Sequence, residues 1–289
     1  MEFKYASELI EICQKNNIPI SEAMINYEML ISQKTREDII SQMAYSYTIM
    51  KKAVQRSLNE DLKSIGGLIG GEAKKILNRG KNNKSVCGTL MNKAISYAMG
   101  VLEVNTSMGL IVAAPTAGAA GVIPGTFIAL QEEYNFTDEI MVKMLFNAGA
   151  IGYLITRNAT VSGAEGGCQA EVGSASAMAA SAIVELMGGT PEQCLDASST
   201  ALANMLGLVC DPIAGLVEAP CQKRNAVGAS NAMVSAEIIL SGIIHHVPFD
   251  EMIIAMYKVG RSLPFELRET ALGGIAATPT GCQLCKNIL

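Results

Sequence analysis

The sequence predicts a mostly α, multi-helix domain. Apolar residues recur at helical spacing along much of the chain, no run alternates β-branched with polar residues, and no strand–helix–strand rhythm is present. The 289 residues are 49% hydrophobic and 17% charged, so the chain has ample apolar surface to bury, and disorder is excluded. Trp is absent, and the apolar mass comes from Ala, 27 Gly and 16 Met, a composition that brings backbones close together. We read residues 1–289 as a single domain, with a helical N-terminal part over 1–65 and a loop-rich core over 66–289.

Taken in order, residues 7–60 read as helix. Met29, Leu30, Ile39, Ile40, Met43, Tyr47, Met50, Val54 and Leu58 form its apolar stripe. Glycine breaks at 66–71 follow, then a short helix with a basic loop over 72–84, and a helix over 86–103. Residues 105–125 read as loop. A helix runs to Tyr134, and Thr137-Asp138 opens another to about Leu154. Residues 156–168 form a second loop and Gln169–Met187 a small-residue helix. Thr190-Pro191-Glu192-Gln193 starts the next helix, with Thr190 as N-cap, Pro191 in the first turn and Gln193 closing a capping box. A third loop spans Cys210–Cys221. Helices then cover 222–244 and 249–259, and His245 and His246 read as lying late in an apolar helix. Gly273-Gly274 and Thr278-Pro279-Thr280-Gly281 mark a final loop.

Charge is uneven along this chain. Residues 1–103 carry 14 basic and 11 acidic side chains, whereas residues 104–249 carry 4 basic and 12 acidic. An isoelectric point near 5.2 argues against nucleic-acid binding. The 28-residue uncharged window from Val104 to Gln131 is broken by Pro115, Pro124 and several glycines, so we expect no membrane span there. The N-terminus shows no export signal, so the eight cysteines are expected to be reduced and the protein cytoplasmic.

Cys13 and Cys194 sit inside helical patterns and read as small buried hydrophobes. Cys168, Cys210 and Cys221 differ. Each stands at a Gly/Pro loop edge and a predicted helix terminus. Spacing alone leaves two readings: three buried thiols, or three ligands of one metal centre with a position open to substrate. Cys282-Gln283-Leu284-Cys285 is an isolated C-x-x-C at the tail.

Five stretches, Gly66–Glu72, Ser107–Gly118, Gly163–Glu171, Cys210–Asn225 and Leu263–Gly281, together resemble the α subunit of bacterial two-subunit, iron–sulfur-dependent L-serine dehydratases. The resemblance implies an all-helical catalytic domain with Gly/Pro-rich active-site loops. It also implies a [4Fe–4S] cluster on Cys168, Cys210 and Cys221, with one iron left for substrate, and conversion of L-serine to pyruvate and ammonia without pyridoxal phosphate. A separate β subunit is expected to complete the site with a loop containing serine and histidine, and to supply the general base. In one-chain relatives a C-terminal cysteine caps the open iron, and Cys282 or Cys285 is the candidate here.

Among residues of this chain, Thr106, Ser107, Gly109 and Gly118 are candidates for holding the substrate carboxylate, because hydroxyls and glycine amides approach a small anion closely. Lys223 and Arg224 are candidates for binding that carboxylate or offsetting cluster charge. Glu165 is the candidate base within the chain, to be set against a purely structural carboxylate. The same ligand set would also suit an L-cysteine desulfidase, or a non-catalytic iron–sulfur sensing or electron-carrying module.

Overall fold

A computed structural model describes residues 2–82 and 84–288. Among the described residues there are thirteen α-helices: α1 Ala6–Asn16, α2 Ile20–Ser32, α3 Arg36–Asn59, α4 Glu72–Lys81, α5 Gly88–Thr106, α6 Val122–Tyr134, α7 Asp138–Asn158, α8 Gly163–Gly166, α9 Ser174–Leu186, α10 Pro191–Met205, α11 Cys221–Leu240, α12 Phe249–Ser262 and α13 Pro279–Ile288. The mostly α class is as the sequence predicts.

The stretch 7–60 is three helices rather than one. Asn17 and Gln33 take left-handed conformations at φ 50° and 56° and end α1 and α2. Pro19 then precedes α2, and Thr35 starts α3. Asp38 N donates to Thr35 Oγ1 at 3.2 Å and Thr35 N donates to Asp38 Oδ2 at 3.3 Å, a reciprocal cap. The expected box at α10 forms: Gln193 N donates to Thr190 Oγ1 at 3.3 Å and Thr190 N donates to Gln193 Oε1 at 2.9 Å.

Helix α9 is the centre of the molecule. Every residue from Ser174 to Val184 is buried, and α9 packs against α6, α7, α10 and α11. Its Ala and Ser side chains permit that many neighbours, since small side chains shorten interhelical distances. Helices α5 and α6 cross as closely: a Cβ on Gly125 would sit 2.7 Å from Ala98 Cβ and 2.8 Å from its nitrogen. Helix α7 is long and apolar enough to cross a bilayer, but 67% of its apolar window is buried against other helices, as in a core helix.

Other boundaries also shift. The uncharged window 104–131 is divided among the end of α5, a loop and α6, with Pro124 in the first turn of α6, where its missing N–H has no helical partner to lose. Helix α7 runs on to Asn158. Residues Gln169–Gly173 form a π-turn leading into α9. Helix α11 stops at Leu240, so His245 and His246 lie well beyond its end. The tail expected as loop is α13, which starts with Pro279 in its first turn.

Candidate functional site

Two loops carry the three cysteines into the core. The segment after α7 turns at Gly167, where φ is +76° and only glycine is at ease. The buried Gln169 side chain then ties this turn to its surroundings. Its Nε2 donates to Gly166 O at 2.9 Å and Met256 O at 3.0 Å, and its Oε1 accepts from Gly207 N at 2.9 Å. Cys168 is thereby fixed between α8 and the π-turn. Cys210 is held by the chain near the C-terminus: its N donates to Leu267 O at 2.9 Å, and its carbonyl accepts from Glu269 N at 2.7 Å. Cys221 is the first residue of α11.

The loop between Cys210 and Cys221 is anchored by a buried carboxylate. Glu218 accepts from Ser64 Oγ at 2.6 Å, Gly66 N at 2.6 Å and Leu68 N at 3.0 Å. The glycine breaks at 66–71 thus wrap the base of the loop that joins Cys210 to Cys221, a link that no local sequence signal announces.

All three thiols are buried, and each lies close enough to feel another's charge. Burial pushes the Cys168 thiol up to about 12, with Arg224 pulling it down and Glu171 pushing it up. Burial raises Cys221 to about 12, reinforced by Cys168 and Glu171. Cys210 is raised by burial, then by Glu171, Cys168, Glu269 and Cys221. Converging buried thiols resist ionisation by protons alone, whereas a bound cation deprotonates them outright. Among the described residues no three His, Cys, Asp or Glu side chains close on a point as ligands of a single ion would. Ligands of an iron–sulfur cube stand farther apart, because each sulfur takes a separate corner. The donor set, three thiols with one guanidinium beside them, fits such a group.

That guanidinium is Arg224. Its Nη1 donates to Val209 O at 2.8 Å and its Nη2 lies 2.7 Å from Asp211 Oδ1. Lys223, the neighbouring candidate, is exposed. Glu165 is also exposed, and the carboxylate that meets the thiols is Glu171 instead. Its Oε2 lies 3.9 Å from Cys210 Sγ, and burial holds its carboxyl above the usual range. Glu171 follows Cys168 by three residues, and that spacing was the available signal for it.

Gly118 reaches this carboxylate: a Cβ there would lie 3.3 Å from Glu171 Oε1. The buried Asn225 of α11 holds the Gly118 loop. Its Nδ2 donates to Gly118 O at 2.7 Å and its Oδ1 accepts from Gly121 N at 2.9 Å. The other anion candidates stand at the end of α5. Thr106 and Ser107 donate their hydroxyls to Leu102 O at 2.8 Å and Val104 O at 3.0 Å, and Gly109 abuts Arg56 of α3. At the tail, Cys282 is exposed and Cys285 intermediate. Helix α13 packs against residues 213–215, and Ile275 N donates to Asp211 Oδ2 at 2.7 Å, so the tail borders the Cys210 loop.

Residues 15–276 match the family model of the serine dehydratase alpha chain. The chain is 54% identical over 286 residues to the probable L-serine dehydratase, alpha chain, of Bacillus subtilis, covering 99% of this chain and 95% of that one. It is 44% identical over 284 residues to the L-serine dehydratase, alpha chain, of Peptoniphilus asaccharolyticus, covering 98% and 97%. It is 37% identical over 282 residues to the L-serine dehydratase of Mycobacterium tuberculosis, covering 94% of this chain but 60% of that protein.

Proposed function

The chain belongs to the serine dehydratase alpha-chain family, and from that membership we propose that it is the catalytic α subunit of an iron–sulfur-dependent L-serine dehydratase. The observation that carries this reading is the convergence of Cys168, Cys210 and Cys221, three buried thiols, one from the loop before α9 and two from the ends of the loop before α11. As thiolates they would hold a [4Fe–4S] cluster, which when bound supplies Lewis acidity toward the serine hydroxyl. Arg224 offsets thiolate charge from its place beside Cys168.

The reaction is a β-elimination. The Cα proton leaves to a base, the Cβ–O bond breaks, and aminoacrylate tautomerises to an imine that hydrolyses to pyruvate and ammonium. Glu171 faces the thiols and takes the substrate ammonium, and the glycine-rich loop around Gly118 offers backbone N–H groups to the carboxylate. Glu165 is too exposed to serve as a shielded base. We assign the base to a histidine of a partner β subunit, in keeping with the greater length of the Mycobacterium relative. Pyridoxal phosphate has no part in this scheme. Cys282 and Cys285, on a helix bordering the Cys210 loop, are the residues of the tail that would reach the open iron.

The test is anaerobic co-expression with the partner, followed by assay of pyruvate and ammonia from L-serine and L-threonine, and of sulfide from L-cysteine. Pyruvate from serine should dominate and should vanish in Cys168→Ala, Cys210→Ala and Cys221→Ala, while Cys194→Ala retains it. Faster sulfide release from cysteine would assign the chain to desulfidation. A coloured holoprotein inert toward all three would leave a carrier or sensor.

A further inference from the structure

Behind Cys221 lies a buried polar pair that the proposed reaction does not use. Glu103 of α5 and Gln222 of α11 are each 1% exposed. Gln222 Nε2 donates to Glu103 Oε1 at 3.1 Å, and the same oxygen accepts from Ala73 N at 2.9 Å. Gln222 Nε2 also lies 3.4 Å from Glu72 Oε2 and 3.5 Å from Met99 O. The other end of each group is left over: Glu103 Oε2 and Gln222 Oε1 are both buried with no hydrogen-bond partner.

Two orphan acceptors on two side chains already joined by one hydrogen bond form a recognisable shape. They match the two ends left open in a carboxylic acid–amide dimer, in which the amide N–H donates to one carboxyl oxygen and the carboxyl O–H donates to the amide oxygen. As an anion, Glu103 would leave its own Oε2 and the Oε1 of Gln222 unsatisfied in the core, which native interiors avoid. One proton on Oε2 satisfies both.

We infer that Glu103 is a neutral carboxylic acid paired with Gln222, and that this pair is a positioning device for Cys221, the residue next to Gln222. The pair itself is independent of any metal; its importance for cluster binding rests on the function proposed above.

The charges around the pair agree. Burial and the charge of Glu72 raise the Glu103 carboxyl, against the pull of backbone N–H groups at the start of α4. Glu72 is the charged neighbour from α4, and its own cation, Lys75, stands 3.8 Å from its far side and is largely exposed. Among the described residues no arginine or lysine hydrogen-bonds to or ion-pairs with Glu103.

The test uses the full-length, iron-free chain, so that it stands apart from the reading of activity. Infrared spectra of wild type should contain the C=O band of a buried neutral carboxyl, and Glu103→Gln should lose it. Glu103→Gln replaces the acid by an amide that can make the same two bonds. It should melt within about 2 °C of wild type, whereas Glu103→Ala should melt at least about 4 °C lower. Alkylation of Cys221, followed by mass spectrometry, should run at the wild-type rate in Glu103→Gln and at least about tenfold faster in Glu103→Ala. If Glu103→Ala fails to fold, the band and the Glu103→Gln variant still decide. Absence of the neutral-carboxyl band, or a Glu103→Gln protein as damaged as Glu103→Ala, would overturn the inference.

Discussion

Arg224 holds Asp211 at 2.7 Å and the carbonyl of Val209 at 2.8 Å, so it grips both residues that flank Cys210. Because Arg224 lies three residues after Cys221 on α11, this contact ties the two cysteine-bearing ends of the Cys210–Cys221 loop to each other. Asp211 is almost fully buried and cannot recover water when its partner is lost. Arg224→Met should therefore destabilise the chain by about 3–5 kcal/mol in urea unfolding. Arg224→Lys should lose less, since it keeps the charge but cannot fork to both acceptors. Equal stability of Arg224→Met and wild type would show that the contact ties nothing down.

The two glutamates near Cys168 should separate in kinetics. Glu171 touches the thiol region, and on the proposed reading Glu171→Gln would delete a charge-assisted contact to the substrate ammonium. kcat/KM should fall about 10–100-fold. Glu165 is exposed, and Glu165→Gln should leave kcat/KM unchanged. The reverse ranking would restore Glu165 as the working carboxylate.

Glycines at the site and away from it should respond oppositely. A Cβ on Gly163 would lie 2.7 Å from Glu171 Oε2 and 3.0 Å from Cys210 Sγ, so Gly163→Ala should cost about 1–3 kcal/mol and lower the iron bound. Gly149 lies within α7 with nothing inside 4 Å of an added Cβ. Gly149→Ala should stabilise by about 0.5–1 kcal/mol. Chemical denaturation of the two variants compares them directly.

Stability at alkaline pH should depend on Cys13. Burial, aided by Glu185 and Glu192, raises its thiol from 9.0 to about 12. Above pH 9 the unfolded chain gives up this proton while the folded chain keeps it, so folding loses stability as pH rises from 9 through about 12. Cys13→Ala lacks this titration and should show a shallower fall of unfolding free energy over that range. An unchanged slope would mean that the thiol ionises as readily in the folded state.

The helical class and the two cysteine-bearing loops were legible because they depend on local signals: apolar periodicity, capping residues, and Gly or Pro beside cysteine. The break at Asn17 had a local signal, since asparagine tolerates the left-handed region and Pro19 follows two residues later, but the long apolar stripe over 29–58 masked it; the break at Gln33 had less, since glutamine seldom takes that conformation. Lys223 and Arg224 looked equivalent in sequence, but adjacent helical residues point about 100° apart, and only one can face the thiols. Glu171 and Glu165 posed the same problem: the π-turn after Cys168 brings one to Cys210 and leaves the other in solvent. Glu218 was illegible for a different reason, as its partners Ser64, Gly66 and Leu68 are about 150 residues away in sequence.

The central claim, that Cys168, Cys210 and Cys221 hold a cluster whose open iron meets serine, is tested most directly by electron paramagnetic resonance. The anaerobically purified, reduced complex with its β subunit should be recorded with and without L-serine. The account predicts a cluster signal whose g-values shift on addition of serine and which is lost in each of the three Cys→Ala variants. A signal unmoved by serine, or one that survives loss of any of those cysteines, would contradict it.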